Sequence, residues 1–150
     1  MLYICSTLIS DRLQMRQCAY LLFENFFIIM YEMGKKILIV DDTSYIRKIL
    51  REIIEEGGHT VVGEAKNGLE AIELTEKLLP EIIIMDIVMP GKNGIEAMIE
   101  IKKRFPNIKV VLMSALGQER LIMDAINAGA QKFIIKPFKK ENIISTIEKI

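Results

Sequence analysis

Short runs of aliphatic residues alternate with helix-length segments from residue 35 to the end of the sequence. The runs do not alternate apolar with polar residues, which is typical of strands buried on both faces. Strands that alternate with helices are joined by right-handed crossovers into a parallel sheet. The pattern therefore predicts a doubly wound α/β fold, with a five-stranded parallel sheet and helices on both faces. The predicted strands are Ile37–Val40, Thr60–Val62, Ile82–Met85, Val110–Met113 and Phe133–Ile135.

The segments between these runs carry helix signals. Gly57 and the glycine after it follow the first apolar helical face and are expected to end that helix. Asn67 is a predicted N-cap, with Glu70 three residues later as in a capping box. A fourth helix is predicted over residues 121–128, closed by Gly129. The helix and strand signals thus agree on the same fold.

Composition excludes several classes of function. The chain has 20 Lys and Arg against 20 Asp and Glu, so neither nucleic acid nor a membrane is an expected partner. One histidine, His59, leaves no material for histidine metal clusters or Ser/His/Asp triads, and we interpret it as a loop residue. Both cysteines, Cys5 and Cys18, lie near the start, so a disulfide framework is excluded for the rest. We expect a cytoplasmic protein.

Residues 1–32 differ from the rest of the chain. The stretch "CAYLLFENFFIIMY" is apolar and aromatic, but it is interrupted by Glu24 and Asn25 and is short for a membrane span. "MGKKILIV" at residues 33–40 is typical of the start of a cytosolic protein. We expect translation to begin at Met33, with residues 1–32 outside the folded domain of residues 33–150. The alternative is an amphipathic arm that contacts a membrane.

Polar side chains follow four of the five predicted strands. Asp41 and Asp42 come after the first strand, Asp86 after the third, Ser114 after the fourth and Lys136 after the fifth. The second strand ends in "GEAKNG", outside this set. Open parallel sheets bind ligands beyond the carboxyl ends of their strands, so these side chains are expected to share one site.

Three carboxylates at one edge of a sheet form a hard, oxygen-rich pocket that suits Mg²⁺ or Mn²⁺. Lys136 adds a positive charge, and Ser114 adds a hydroxyl that can donate to an oxyanion. A carboxylate next to such cations can accept a phosphoryl group. A dication would also explain why Asp41 and Asp42 stand side by side, since two adjacent carboxylates repel each other. The simpler alternative for that pair is a solvated acidic turn.

Four motifs carry a family resemblance: "ILIVDD", "IIIMDIVMPGKNG", "VVLMSA" and "AGAQKFIIKPF". In this order and spacing they resemble the receiver domain of two-component response regulators, and most of all stand-alone chemotaxis regulators of the CheY type. The resemblance covers residues 35–150. It implies a flavodoxin-like, CheY-like sheet.

The resemblance also implies roles for individual residues. Asp86 would be the phosphoacceptor, and Phe133 the aromatic switch. The Lys136–Pro137 bond is expected to be cis, an isomer rare outside X–Pro. The implied metal ligands are Asp41, Asp42, Asp86 and the backbone carbonyl of Val88. The residues implied to contact the phosphate or to respond to it are Ser114, Lys136 and Phe133.

A partner surface is expected on the fourth helix and its surroundings. We predict that Leu121, Ala125 and Ala128 turn inward, so that the remaining apolar residues of that helix face solvent. The predicted surface residues are Leu116, Ile122, Ile126 and Phe133. Phe133 lacks the hydroxyl that many relatives carry there as Tyr. Leu116 stands where some relatives have Glu, which leaves the dephosphorylation rate open.

The implied function is a single-domain response regulator that is phosphorylated on Asp86 from a histidine kinase and signals by binding proteins, in chemotaxis. Expected partners are a CheA-like kinase and a motor-switch or adaptor protein, with a phosphatase as a further candidate, and we expect a monomer. The chain would catalyse only its own phosphorylation and dephosphorylation. The alternative is an Asp-nucleophile phosphatase or dehalogenase, which needs an acid two residues after the nucleophile. Thr43 and Val88 occupy those positions.

Overall fold

Strands and helices alternate without exception over residues 34–150, the part of the chain that the computed structural model describes. The predicted extension at residues 1–32 lies outside the described residues. The elements are β1 (Lys36–Val40), α1 (Ser44–Glu56), β2 (Thr60–Ala65), α2 (Gly68–Leu78), β3 (Ile82–Asp86), α3 (Gly94–Arg104), β4 (Lys109–Ala115), α4 (Glu119–Asn127), β5 (Lys132–Lys136) and α5 (Lys140–Glu148).

The five strands form a parallel sheet in the order β2-β1-β3-β4-β5. The strand order changes direction at β1, which lies between β2 and β3. Because all strands are parallel, Asp41, Asp86 and Lys136 reach the same edge of the sheet, beside this switch point. The predicted fold class is confirmed, and the three predicted site residues lie at the edge where open parallel sheets bind ligands.

Alternate residues of the strands enter two apolar cores. Leu38 and Ile83 belong to the core on one face, together with residues of α2, α3 and α4. Ile37 and Ile82 belong to the core on the other face, together with residues of α1 and α5. All four side chains are at most 1% exposed, which explains why the strands read as unbroken aliphatic runs.

Strand β2 extends to Ala65, beyond the predicted end at residue 62. It lies at the edge of the sheet, and its residue Glu64 pairs with the guanidinium groups of Arg47 and Arg51 on α1. A charged side chain with such partners is tolerated in a strand that would otherwise end. The predicted strand ended too early because the sequence pattern does not show that Glu64 has these partners.

The helix signals are confirmed where they were specific. Helix α1 ends at a C-cap Gly57, and the following Gly58 has a φ of +80°. The side chain of Asn67 accepts a hydrogen bond from the backbone N–H of Glu70 and caps α2. Helix α4 begins earlier than predicted, at Glu119.

His59 lies in a loop as predicted, but it is partly buried. Its Nδ1 accepts a hydrogen bond from the backbone N–H of Lys35 at 3.2 Å, and its Nε2 is buried without a partner among residues 34–150. Over the same residues, no helix has the length and apolar character needed to cross a membrane.

Candidate functional site

Three carboxylates converge at the carboxyl edge of the sheet. Asp41 and Asp42 follow β1, and Asp86 ends β3, so that one oxygen from each lies within 4.8 Å of the others. Asp41 is fully buried, Asp86 is 9% exposed and Asp42 is open to solvent. The acidic cluster of Asp41, Asp42 and Asp86 is therefore open to solvent mainly at Asp42.

Lys136 at the end of β5 reaches across to this cluster. Its Nζ lies 2.6 Å from Oδ2 of Asp41 and 3.0 Å from Oδ2 of Asp86. One ammonium group thus bridges two carboxylates that would otherwise repel each other. The Lys136–Pro137 peptide bond that follows is cis.

Burial and charge act against each other on these groups. Burial raises the pKa of Asp86, and the hydrogen bond and charge of Lys136 only partly oppose this effect. Burial lowers the pKa of Lys136, but its hydrogen bonds to Asp41 and Asp86 outweigh burial, and the net shift is upward. Lys136 is therefore charged at neutral pH and supplies a fixed cation beside Asp86.

The backbone around Asp41 is held by groups that sequence reasoning missed. The backbone N–H of Thr43 donates to Oδ1 of Asp41 at 2.9 Å, and Asp41 N–H donates to Ala65 O at 3.1 Å. Arg47 donates from Nη1 to the carbonyl of Asp41 at 2.8 Å, and its Nε pairs with Glu64 at 3.0 Å. Arg47 and Glu64 thus fix the loop that carries two of the three carboxylates. Helical position alone gave no signal for this role.

Gly94 allows the loop after β3 to pack closely against the backbone of Asp86. A Cβ at Gly94 would lie 2.2 Å from the carbonyl oxygen of Asp86, so a larger residue would displace the loop. Ile87 N–H donates to Met113 O and Gly94 N–H donates to Ile87 O, each at 2.9 Å. Val88 lies in this loop, two residues after Asp86, and is 51% exposed.

Ser114 is fully buried at the end of β4, but its hydroxyl is engaged by Gln118 rather than by the acidic cluster. Ser114 Oγ lies 2.9 Å from Oε1 of Gln118, which also accepts from the backbone N–H of Ala115 at 2.9 Å. The sequence placed Ser114 at the correct edge. It gave no indication that Gln118 is its partner.

The predicted partner residues lie on and around α4. Ala125 is buried, while Leu121 and Ala128 pack partly buried against the core, as expected. Ile126 is 47% exposed and Ile122 is half-buried. The other two predicted residues flank this helix: Leu116 is 73% exposed, and Phe133 is half-buried against the core.

The acidic cluster has the donor set of a hard-cation site. Carboxylate oxygens that lie close together, with Asp42 exposed to solvent, match the needs of a small dication that retains water ligands. Asp41, Asp42 and Asp86 would hold such an ion, which when bound would offset negative charge on the carboxylates and on an incoming phosphate.

Comparison with known proteins agrees with this geometry. The response regulator receiver domain profile matches residues 37–148. The chemotaxis protein CheY of Thermotoga maritima is 47% identical over 118 residues, which are 79% of this chain and 98% of that protein. The CheY of Bacillus subtilis is 40% identical over 117 residues, or 78% of this chain and 98% of that protein.

A solved structure with the same fold is a CheX–CheY–BeF3–Mg complex from Borrelia burgdorferi. It is 31% identical, has a TM-score of 0.72, and the match covers 77% of this chain and 87% of that chain. The profile match spans most of the described residues. It includes the strand-end motifs that first indicated the family in the sequence. The chain therefore belongs to the response regulator receiver family, as a receiver domain of the two-component signalling type related to CheY.

Proposed function

We propose that this receiver accepts a phosphoryl group on Asp86 from a histidine kinase, in a reaction that requires Mg²⁺ or Mn²⁺ at the acidic cluster. The observation that supports this most strongly is the position of Lys136, whose Nζ contacts both Asp41 and Asp86. A fixed cation beside a carboxylate favours transfer because it stabilises negative charge on the phosphoryl oxygens. Asp86 is also the carboxylate of the cluster that lies on the central strand β3.

The transfer that we propose is a direct displacement at phosphorus. A carboxylate oxygen of Asp86 forms a bond to phosphorus, and the bond from phosphorus to the donor nitrogen or oxygen breaks. The leaving donor keeps the electron pair and takes a proton from solvent when it needs one. Lys136 stays protonated and pairs with the new phosphate, since its pKa is raised. Asp41 and Asp42 would hold the metal ion, with the carbonyl of Val88 as a further ligand.

We place the output in chemotaxis because the two CheY relatives described above are chemotaxis proteins. A CheA-like histidine kinase is the proposed donor, and a motor-switch or adaptor protein is the proposed target. The Borrelia complex contains CheX together with CheY, so a protein of that kind is a further candidate partner. The family points to a signalling protein rather than an enzyme that acts on other substrates.

The proposed target surface is an apolar face formed by the exposed Leu116 and Ile126 and the half-buried Ile122, beside Phe133. Its apolar area suits a protein partner. In this proposal, phosphorylation draws Ser114 toward the phosphate and lets Phe133 turn inward, which favours the binding-competent surface by population shift.

We assign the receiver domain to residues 33–150 and leave residues 1–32 as an extension outside it. The proposed protein acts in the cytoplasm as a monomer.

Intact-protein mass spectrometry tests the proposed function. The purified full chain is incubated with acetyl phosphate and Mg²⁺, and a parallel sample contains EDTA. We expect one phosphoryl group with Mg²⁺ and none with EDTA. Equal phosphorylation in both samples would contradict the proposed metal requirement, and no phosphorylation in either would contradict the function itself.

A further inference from the structure

Gln118 holds two hydrogen-bond donors at the carboxyl end of β4. Its Oε1 lies 2.9 Å from Ser114 Oγ and 2.9 Å from the backbone nitrogen of Ala115. Ser114 is fully buried, and Gln118 is itself half-buried. One side-chain oxygen therefore occupies two adjacent donors, one buried at Ser114 and one exposed at Ala115.

The direction of these hydrogen bonds follows from their chemistry. A backbone N–H can only donate, so the atom that faces Ala115 must be the amide oxygen of Gln118. The Ser114 hydroxyl is then the donor to the same oxygen. A hydroxyl carries a single hydrogen, and its other contact is Ala115 O at 3.3 Å. While Gln118 is in place, Ser114 has no hydrogen left for another acceptor.

We propose that Gln118 is a positioning residue that withholds Ser114 and Ala115 from the phosphate, and that a phosphoryl group on Asp86 displaces it. This inference rests on the proposed function. Asp86 is the register partner of Met113, the residue before Ser114, so the phosphate and both donors share one edge of the sheet. A phosphoryl oxygen carries charge and is a stronger acceptor than a neutral amide oxygen, so it competes successfully for the two donors.

Gln118 also joins this exchange to α4. It is the N-cap residue of the helix, and its backbone carbonyl accepts from Ile122 N–H at 3.1 Å. Its side chain caps none of the first N–H groups of α4, because it turns back to Ala115 instead. A released Gln118 side chain no longer ties the first turn of α4 to Ala115. The residue that frees Ser114 is therefore also the N-cap residue of the helix that carries Ile122 and Ile126.

A purely structural role for Gln118 would have different consequences. If its hydrogen bonds only stabilised the turn before α4, their removal would lower stability and leave the affinity for a phosphoryl mimic unchanged. If Gln118 competes with the phosphate, their removal should raise that affinity. The sign of the change in affinity separates the two.

The test compares Gln118→Ala and Gln118→Asn with the full wild-type chain. Asparagine keeps the amide but is one methylene shorter, so it should not reach both donors. Gln131→Ala is the matched control, since Gln131 is an exposed glutamine without a side-chain hydrogen bond to residues 34–150. The probe is the phosphomimetic beryllofluoride with saturating Mg²⁺, and Mg²⁺ is also titrated alone.

We expect both Gln118 variants to bind beryllofluoride about 3- to 10-fold more tightly than wild type, with unchanged Mg²⁺ affinity. Gln131→Ala should match wild type. Equal or weaker beryllofluoride binding in the Gln118 variants, with normal binding in wild type, would overturn the role of Gln118 alone. If wild type binds no beryllofluoride in the presence of Mg²⁺, the proposed function fails and this inference fails with it.

The Ala115 amide resonance gives a second measurement that does not depend on affinity. Without beryllofluoride, the amide proton should exchange faster in Gln118→Asn than in wild type, because it has lost its acceptor. With beryllofluoride bound, the two proteins should show the same protection. An Ala115 amide that is equally protected in both free proteins would overturn the proposal.

Discussion

Nζ of Lys136 lies 3.0 Å from Oδ2 of Asp86, although the two residues are 50 positions apart in the chain. The same Nζ lies 2.6 Å from Oδ2 of Asp41, so one ammonium group pairs with two carboxylates, one after β1 and one at the end of β3. The sequence predicts that Lys136 and Asp86 share one site at the same edge of the sheet. The second contact shows that Lys136 also acts as an internal counter-ion for the acidic cluster.

Removal of this counter-ion should destabilise the metal-free protein. We expect Lys136→Met to lower the free energy of unfolding by about 1–3 kcal/mol, because it leaves the buried Asp41 beside Asp86 without a cation. Mg²⁺ should restore more stability in the variant than in wild type. Urea unfolding with and without Mg²⁺ measures both effects.

Lys140→Met is the control for that experiment, because Lys140 pairs with exposed Glu56 away from the acidic cluster. An exposed ion pair contributes little, so this variant should remain close to wild type. Equal stability of Lys136→Met and wild type without metal would show that Lys136 does not serve as counter-ion.

The metal site makes a separate prediction. Asp42→Ala should weaken Mg²⁺ binding by roughly tenfold or more, since it removes one carboxylate ligand and leaves the rest of the cluster in place. Asp124→Ala, which removes an exposed carboxylate from α4, should bind Mg²⁺ as wild type does. NMR titration of the amide resonances of both variants decides. Unchanged Mg²⁺ affinity in Asp42→Ala would place the ion elsewhere.

The environment of His59 predicts a pH dependence of stability. Burial and, next, the charge of Lys35 lower the pKa of His59. The unfolded chain therefore takes up a proton at a pH at which the folded chain does not. The contribution of neutral His59 to the free energy of unfolding is fully present above the unfolded pKa of about 6.5. It is lost as the pH falls toward the lower pKa of the folded chain.

His59→Asn tests this dependence, because asparagine keeps an acceptor for Lys35 N–H but does not titrate. Between about pH 7.5 and 5.5 the wild type should lose more stability than the variant, as measured by urea unfolding at each pH. Parallel pH profiles of the two proteins would rule out His59 as the cause.

The proposed target surface can be tested with a matched pair of substitutions. Ile126 on α4 and Ile99 on α3 are both exposed isoleucines, at 47% and 38%. Both Ile126→Lys and Ile99→Lys should accept phosphate normally, since neither residue belongs to the site. Only Ile126→Lys should weaken binding of the phosphorylated chain to a motor-switch or adaptor target, by at least about tenfold. Equal loss, or loss only in Ile99→Lys, would move the surface away from α4.

Much of this architecture could be predicted from sequence because its signals are local. Strands buried on both faces produce unbroken aliphatic runs such as residues 37–40, and their ends mark the edge where Asp41, Asp86 and Lys136 meet. Asn67 could be identified as a cap because its partner is three residues away. These features depend on neighbours in the chain, or on the rule that parallel strands end at the same edge.

The missed features depend on side chains that meet only after folding. The sequence pattern alone did not favour a strand at the charged residue Glu64. In the folded chain its carboxylate pairs with Arg47 and Arg51 of α1. The contact between Gln118 and Ser114 requires the turn before α4 to bring the amide back to β4. Neither arrangement has a periodicity, so neither could be predicted from spacing.

The most direct test of the central claim is the site of phosphorylation. Wild type, Asp86→Asn and the control Asp124→Asn are incubated with acetyl phosphate and Mg²⁺, and intact-protein mass spectrometry follows the gain of a phosphoryl group over time. We predict one labile phosphoryl group at the same rate in wild type and Asp124→Asn, and none in Asp86→Asn. A phosphoryl group gained by Asp86→Asn at the wild-type rate would contradict the assignment of Asp86 as phosphoacceptor.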